Sequence, residues 1–332
     1  MAREAWMGRA LAFGASLLGA LVMSMAAQAA DLGTIRIGVL QFGTVSWELD
    51  VIKQHELDAK EGFTLEVTGF ASNDAADIAL MGEAVDGIVE DWLWVSRQRA
   101  DGVPLTFIPY SSSVGALMVP TDGSIDSLAD LEGKRLGIAG GPLDKSWLLI
   151  QALAKEQGVD LAEVSELVYG APPLLAEKFK SGELDAVINY WHYAARLEAE
   201  GHRRLLDVTQ AQEGLGVPAD TPQLGYVFRE EWADEHPDLV QAFARASRAA
   251  KAVMDESDEE WERLRALTRA EDDATLDALK RRYREGIVHS WGDRERQAAG
   301  QLYGVLAELG GEELVGSSPV LVDGTFWSGV RY

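Results

Sequence analysis

Two stretches of the chain, 99 residues apart, are written in nearly the same letters. Glu83-Ala84-Val85-Asp86-Gly87-Ile88-Val89-Glu90-Asp91-Trp92 is echoed by Glu183-Leu184-Asp185-Ala186-Val187-Ile188-Asn189-Tyr190-Trp191. From the aspartate onward the offset is constant: Asp86 matches Asp185, Trp92 matches Trp191, Arg97 matches Arg196 and Gly102 matches Gly201. Each copy reads as a turn, a buried strand and a helix opened by an aromatic residue. A repeat of one strand–helix unit at this distance implies two similar α/β lobes. The plainer alternative is a chance likeness between two ordinary strand–helix units.

The alternation extends well beyond the echo. Strands are expected at Thr34–Leu40, Thr64–Thr68, Val85–Val89 and Leu105–Ile108, with helices over 46–60, 75–81 and 92–100 between them. The pattern resumes with strands at Arg135–Ala139, Leu167–Tyr169 and Ala186–Asn189 and helices over 143–157, 173–180 and 190–200. Strands alternating with helices give largely parallel, doubly wound sheets. From Glu230 onward the sequence is helical and heavily charged, with Trp261, Leu264, Leu267 and Leu276 as expected inward positions. The 332 residues suffice for two domains.

The first 29 residues read as an export signal rather than as fold. Arg3 and Arg9 precede an uncharged apolar run, Ala10–Met25, and Ala27-Gln28-Ala29 places small residues at a cleavage site. The run is too short and too rich in Ala and Gly for a membrane span, which needs about 20 residues. The remainder is therefore expected to be soluble and periplasmic. The chain has no cysteine, which excludes disulfides, thiol catalysis and cysteine metal sites and suits an oxidising compartment. A formal charge of −24 argues against nucleic acid and against an anionic membrane surface as partners. The five histidines show no metal-ligand spacing, and no GxGxxG, GxSxG or SxxK motif occurs. No cofactor or metal is expected, and no catalytic residue.

Four segments resemble one family. They are Ile35–Gly43 (IRIGVLQFG), Ser127–Gly140 (SLADLEGKRLGIAG), Ala176–Tyr190 (AEKFKSGELDAVINY) and Phe228–Phe243 (FREEWADEHPDLVQAF). Together they are similar to the type II periplasmic solute-binding proteins of ABC importers, in the group that includes nitrate, taurine, alkanesulfonate and thiamine-precursor binders. The resemblance implies two doubly wound lobes joined by two crossing strands, Gly115–Val119 and Gln223–Phe228. It divides the chain into lobe 1 (30–118 and 226–332) and lobe 2 (119–225). It also implies a monomer that closes on a small molecule by hinge motion and presents it to an inner-membrane permease. Two other functions use the same fold: an enzyme, or a periplasmic accessory protein of an exported dehydrogenase. The cysteine-dependent enzymes of this fold are excluded here.

In open α/β sheets ligands lie beyond the carboxyl ends of the strands. The segments expected there are Gln41-Phe42-Gly43-Thr44 with Trp47, Asp91-Trp92, Ser111-Ser112, Gly141 with Asp144-Lys145-Ser146-Trp147, and Tyr190-Trp191. The helix start at Asp144 could cradle an anion with the help of Lys145, or Asp144 could simply cap the helix. Asp91 and Asp144 outnumber the single cation Lys145, so the ligand is expected to be neutral or cationic. It would be stacked between Trp92 and Trp191, with Trp94 and Tyr193 left in the core.

Overall fold

A computed structural model describes residues 31–41 and 43–332. The expected export segment and Phe42 lie outside the described residues. Ten strands follow in chain order: β1 Thr34–Leu40, β2 Thr64–Phe70, β3 Gly87–Asp91, β4 Leu105–Ser111, β5 Gly115–Val119, β6 Arg135–Ala139, β7 Glu166–Gly170, β8 Ala186–Tyr190, β9 Arg203–Asp207 and β10 Leu224–Arg229. They form two five-stranded sheets of order β2-β1-β3-β10-β4 and β7-β6-β8-β5-β9. β1 runs parallel to β2 and β3, and β6 parallel to β7 and β8. One strand in each sheet runs against its neighbours, β10 in the first and β5 in the second. The fold is the expected mixed α/β arrangement with two lobes.

The 99-residue echo has a physical cause. At the start of β1 the Arg36 amide donates to the Asp86 carboxylate at 2.8 Å, and the Asp86 amide returns a bond to the Arg36 carbonyl at 2.8 Å. At the start of β6, Arg135 and Asp185 make the same exchange at 2.8 and 2.9 Å. Each aspartate ties the turn before the third strand of its lobe to the first strand. The following strand then drops into register, Ile37 opposite Gly87 and Leu136 opposite Ala186.

The expected crossings need correcting. Gly115–Val119 is not a bridge but the antiparallel strand β5 inside the second sheet, and Leu224–Arg229 has the same role in the first. Every residue of β5 is buried, which explains why it reads as a uniformly apolar run. The chain changes sheets at 112–114 and returns over 215–223. The two passages are tied together where the Gln223 amide donates to the Ser111 carbonyl at 3.1 Å.

One expected helix divides in two. The helix expected over 46–60 is broken: Val45–Gln54 stops at His55, Glu56 takes a left-handed conformation (φ 50°), and a short Leu57–Lys60 turn follows. The helices Pro237–Glu256 and Asp258–Thr268 pack on Val45–Gln54 in the first lobe. Asp273–Glu285 reaches the second lobe's helix Trp191–Ala199. Asp293–Val315 packs on Trp92–Ala100 in the first lobe and on Lys145–Glu156 in the second. Trp261, Leu264 and Leu276 are buried as expected, whereas Leu267 is 42% exposed because it faces the gap between the lobes.

Candidate functional site

The carboxyl ends of β3 and β6 meet across the seam between the lobes. Asp91 ends β3 and caps the helix Trp92–Ala100, its Oδ1 accepting from the Trp94 amide at 2.8 Å. Its other oxygen accepts from the Lys145 ammonium at 2.6 Å, so one ion pair joins the two lobes. Lys145 is the first residue of its helix, where the positive end of the helix dipole disfavours a cation. Burial also works against its charge, but Asp91, Asp144 and Glu90 outweigh both and raise the ammonium pKa.

Asp144 settles the alternative left open at the helix start. Its carboxylate accepts from the amides of Ser146 (2.9 Å) and Trp147 (3.4 Å), so it caps the helix. The N–H groups that could hold a ligand anion are thereby engaged. Burial raises the Asp144 pKa, against the pull of Lys145 and of these hydrogen bonds. Gly140, in left-handed conformation (φ 84°), lets this turn close: a Cβ there would lie 2.5 Å from the Asp144 carboxylate and 2.8 Å from the Tyr190 hydroxyl. The Tyr190 hydroxyl is pushed up to about 12 by burial and by the nearby carboxylates.

Two acids at this seam escape sequence reasoning. Glu90 is pushed up to about 8, first by burial and then by Asp91, with Lys145 opposing. Asp77, on the helix Asn73–Met81, is raised to about 6 by burial and by Asp74 and Asp91. Glu90 stood beside a named residue and could have been found from that adjacency. Asp77 carries no signal in the sequence, because only the fold brings it near β3.

The aromatic residues divide. Trp47 and Trp191 meet edge-to-face across the seam, ring centres 5.9 Å apart. Trp92 does not join them. It is 1% exposed, its indole N–H donates to the Pro222 carbonyl at 2.7 Å, and its ring packs on Tyr303 and Phe326. Stacking of a ligand between Trp92 and Trp191 is therefore ruled out by the packing of Trp92. Trp147 is likewise core, and Ser146 is buried beneath the turn.

Ser111 and Ser112 hold the passage between sheets, and Ser112 also borders a small cavity of about 50 Å³ with Trp191. The Ser112 amide donates to the Gly286 carbonyl at 3.1 Å, and the Ser111 hydroxyl to the same carbonyl at 3.4 Å. Thr44 occupies the position before the first helix without a side-chain capping bond, and Gly141 (φ 101°) borders a shallow groove with Tyr169.

Beside the tryptophan contact lies a cavity of about 590 Å³ between the lobes. Gln41, Ser46 and Trp47 line it from one side and His192, Tyr193 and Arg196 from the other. Tyr193, expected in the core, thus belongs to its wall. Burial and the neighbouring Arg196 hold His192 at about 3, so its imidazole is neutral. Arg196 donates to the carbonyls of Thr268 (2.6 Å) and Arg269 (3.2 Å), a second polar bridge between the lobes. Among the described residues no group of three or more His, Cys, Asp or Glu is placed to hold a metal ion.

The family model described as NMT1/THI5 like matches residues 59–260, more than half of the chain. The chain belongs to this family. Among solved structures it is similar to the periplasmic aliphatic sulphonate-binding protein SsuA from Escherichia coli, with 16% identity over 90% of this chain and 93% of that one and a TM-score of 0.72. The alkanesulfonate-binding SsuA from Xanthomonas axonopodis pv. citri, bound to MOPS, gives 19% identity, 89% and 98% coverage and a TM-score of 0.67. The periplasmic nitrate-binding protein NrtA from Synechocystis PCC 6803 gives 14% identity, 86% and 91% coverage and a TM-score of 0.58. These likenesses show that the NMT1/THI5-like chain has the fold of the ABC-transporter solute-binding proteins. Among curated proteins none matches the sequence.

Proposed function

We propose that the protein is the substrate-binding component of an ABC importer. It is exported to the periplasm, captures a small organic molecule between its lobes without chemical change, and delivers it as a monomer to an inner-membrane permease. The observation that carries this reading is the seam itself: β3 and β6, from different sheets, end face to face with Asp91 on Lys145. A ligand at that point touches both lobes at once and so favours their approach. The lobes are taken as 31–111 with 224–332, and 115–214, the chain changing over where the sheets do.

The ligand is neutral or cationic. Asp144 engages the helix N–H groups that would stabilise an anion, and Lys145, the cation at the seam, is already paired with Asp91 and lies near Asp144. An anion brought beside these acids loses hydration without a compensating partner. The stacking surface is Trp47 with Trp191 rather than Trp92. The sulfonate and nitrate of the structural neighbours are thus not the expected cargo.

The test begins with protein recovered from the periplasmic fraction, its N-terminus expected at Ala30 or within two residues. Denaturation and mass spectrometry identify the small molecule it releases, and calorimetry with that compound measures binding. One neutral or cationic molecule per chain, raising the melting temperature and lowering the radius of gyration, is expected. An N-terminus at Met1, or the absence of any released molecule, overturns the importer reading. A released anion overturns the charge assignment alone.

A further inference from the structure

A second ionic group lies behind the seam, wholly inside the first lobe. Glu48 is 0% exposed, next to Trp47 on the helix Val45–Gln54. Four side chains donate to its carboxylate. Tyr226 from β10 (2.8 Å) and Ser247 from the helix Pro237–Glu256 (2.6 Å) reach Oε1. Lys251 of that helix and Tyr283 (3.3 Å) from the helix Asp273–Glu285 reach Oε2. The Lys251 ammonium also donates to Ser247 at 2.8 Å and lies 4.6 Å from the centre of the Tyr110 ring. One carboxylate thus ties its own helix to a strand and two other helices.

Such a group is an expensive way to hold a core together, because buried ion pairs rarely exceed the stability of well-packed apolar residues. What they can supply is a fixed geometry. Here the geometry points outward through one donor. The Tyr283 ring stands 6.3 Å from Trp47 and 6.3 Å from Trp191 of the other lobe. Trp191 therefore enters a notch with two walls, Tyr283, which bonds Glu48, and Trp47, which precedes Glu48 on the same helix. Tyr283 is followed in the same helix by Glu285 and preceded by Arg282, which grips Glu198 of the second lobe. Tyr226 binds the same carboxylate from the sheet and faces no residue of the other lobe in these contacts.

We propose that Glu48 is a positioning residue for lobe approach: through Tyr283 and Trp47 it sets the notch that receives Trp191. The assignment concerns how the lobes meet, so its test needs no ligand and is independent of the importer reading.

The chain has no cysteine, which allows clean double labelling. Ile78→Cys in the first lobe and Leu174→Cys in the second, 73% and 52% exposed, carry a donor and an acceptor dye for single-molecule energy transfer. Two variants that remove one hydroxyl each from the same carboxylate are compared in this background. Tyr283→Phe should lower the high-transfer population about threefold or more, because the ring freed from Glu48 no longer holds the notch for Trp191. Tyr226→Phe should lower the melting temperature and leave that population unchanged. Glu48→Gln should do both, and its failure to fold would leave the tyrosine comparison intact. If Tyr283→Phe and Tyr226→Phe change energy transfer equally, or neither changes it, Glu48 serves the core alone and the proposal falls.

Discussion

Lys145 holds a position that neither local electrostatics nor burial favours, and the acids around it are the reason. The same crowding keeps Glu90 protonated. In the unfolded chain a glutamate titrates near about 4.3, whereas Glu90 in the folded protein holds its proton up to about 8, through burial and then Asp91. Between those values the folded state binds more protons than the unfolded one, so stability falls as pH rises through the window and levels off beyond it. Glu90→Gln removes this component. The melting temperature of the unaltered protein, taken relative to Glu90→Gln, should drop by several degrees from pH 5 to pH 8. A difference that stays flat, or rises, shows Glu90 to be ionised in the fold. Glu198 behaves oppositely. Burial works to raise it, but hydrogen bonds from Arg282 and Arg204 prevail and hold it at about 2. Its contribution is present above about 4.5 and fades only as pH falls toward 2.

Strands and helices read well from the sequence wherever one lobe decides them alone. β1, β6 and the helix Trp92–Ala100 have the expected ends, and the Asp86 and Asp185 turns stand at equivalent places. What failed were the features settled by neighbours distant in the chain. Trp92 and Trp191 open equivalent helices, yet the helix Asp293–Val315 covers the first and leaves the second facing Trp47. Residue type at a repeat position cannot disclose which copy is covered. The two antiparallel strands read as bridges for a similar reason, since an apolar run shows burial but not the sheet that buries it. Within the sheets, close approach rather than chain reversal requires glycine at 225. A Cβ there would stand 2.2 Å from the Ile108 carbonyl and 2.2 Å from the Phe107 ring, both on β4. Gly225→Ala should therefore cost about 1–3 kcal/mol in urea unfolding, the range for overpacking a core. Gly304, within Asp293–Val315, has nothing within 4 Å of its Cβ position. Gly304→Ala should add roughly 0.5–1 kcal/mol through helix propensity. If both substitutions shift stability the same way, the packing around one of these glycines is wrongly described.

The two lobes touch at places of different chemistry: the Asp91–Lys145 pair, the Trp47–Trp191 edge, the Arg196 bonds to backbone carbonyls, and Glu198. The last is the most heavily charged. The Glu198 carboxylate binds Arg282 of the first lobe and Arg204 of its own lobe at 2.8 Å, with Arg281 at 3.8 Å. Arg204 is held from its other side by Asp207 at 2.6 Å. This cluster borders a cavity of about 740 Å³ near the passages between sheets, so water and salt reach it. Charges accessible to solvent are screened over about 10 Å at 0.1 M salt and about 3 Å at 1 M. Contact at Glu198 should therefore weaken with salt, while the tryptophan contact should not. Small-angle scattering can separate them. The radius of gyration of the unaltered protein should rise between 0.1 and 1 M sodium chloride. Glu198→Ala should begin at the larger value and respond little to salt, because Arg282 then retains only Glu285 of its own helix at 2.7 Å. Trp191→Ala should begin larger as well but keep the salt response, since Glu198 is intact. Equal radii for Glu198→Ala and the unaltered protein at 0.1 M would mean that this cluster contributes nothing to holding the lobes together, and that the other three contacts do so.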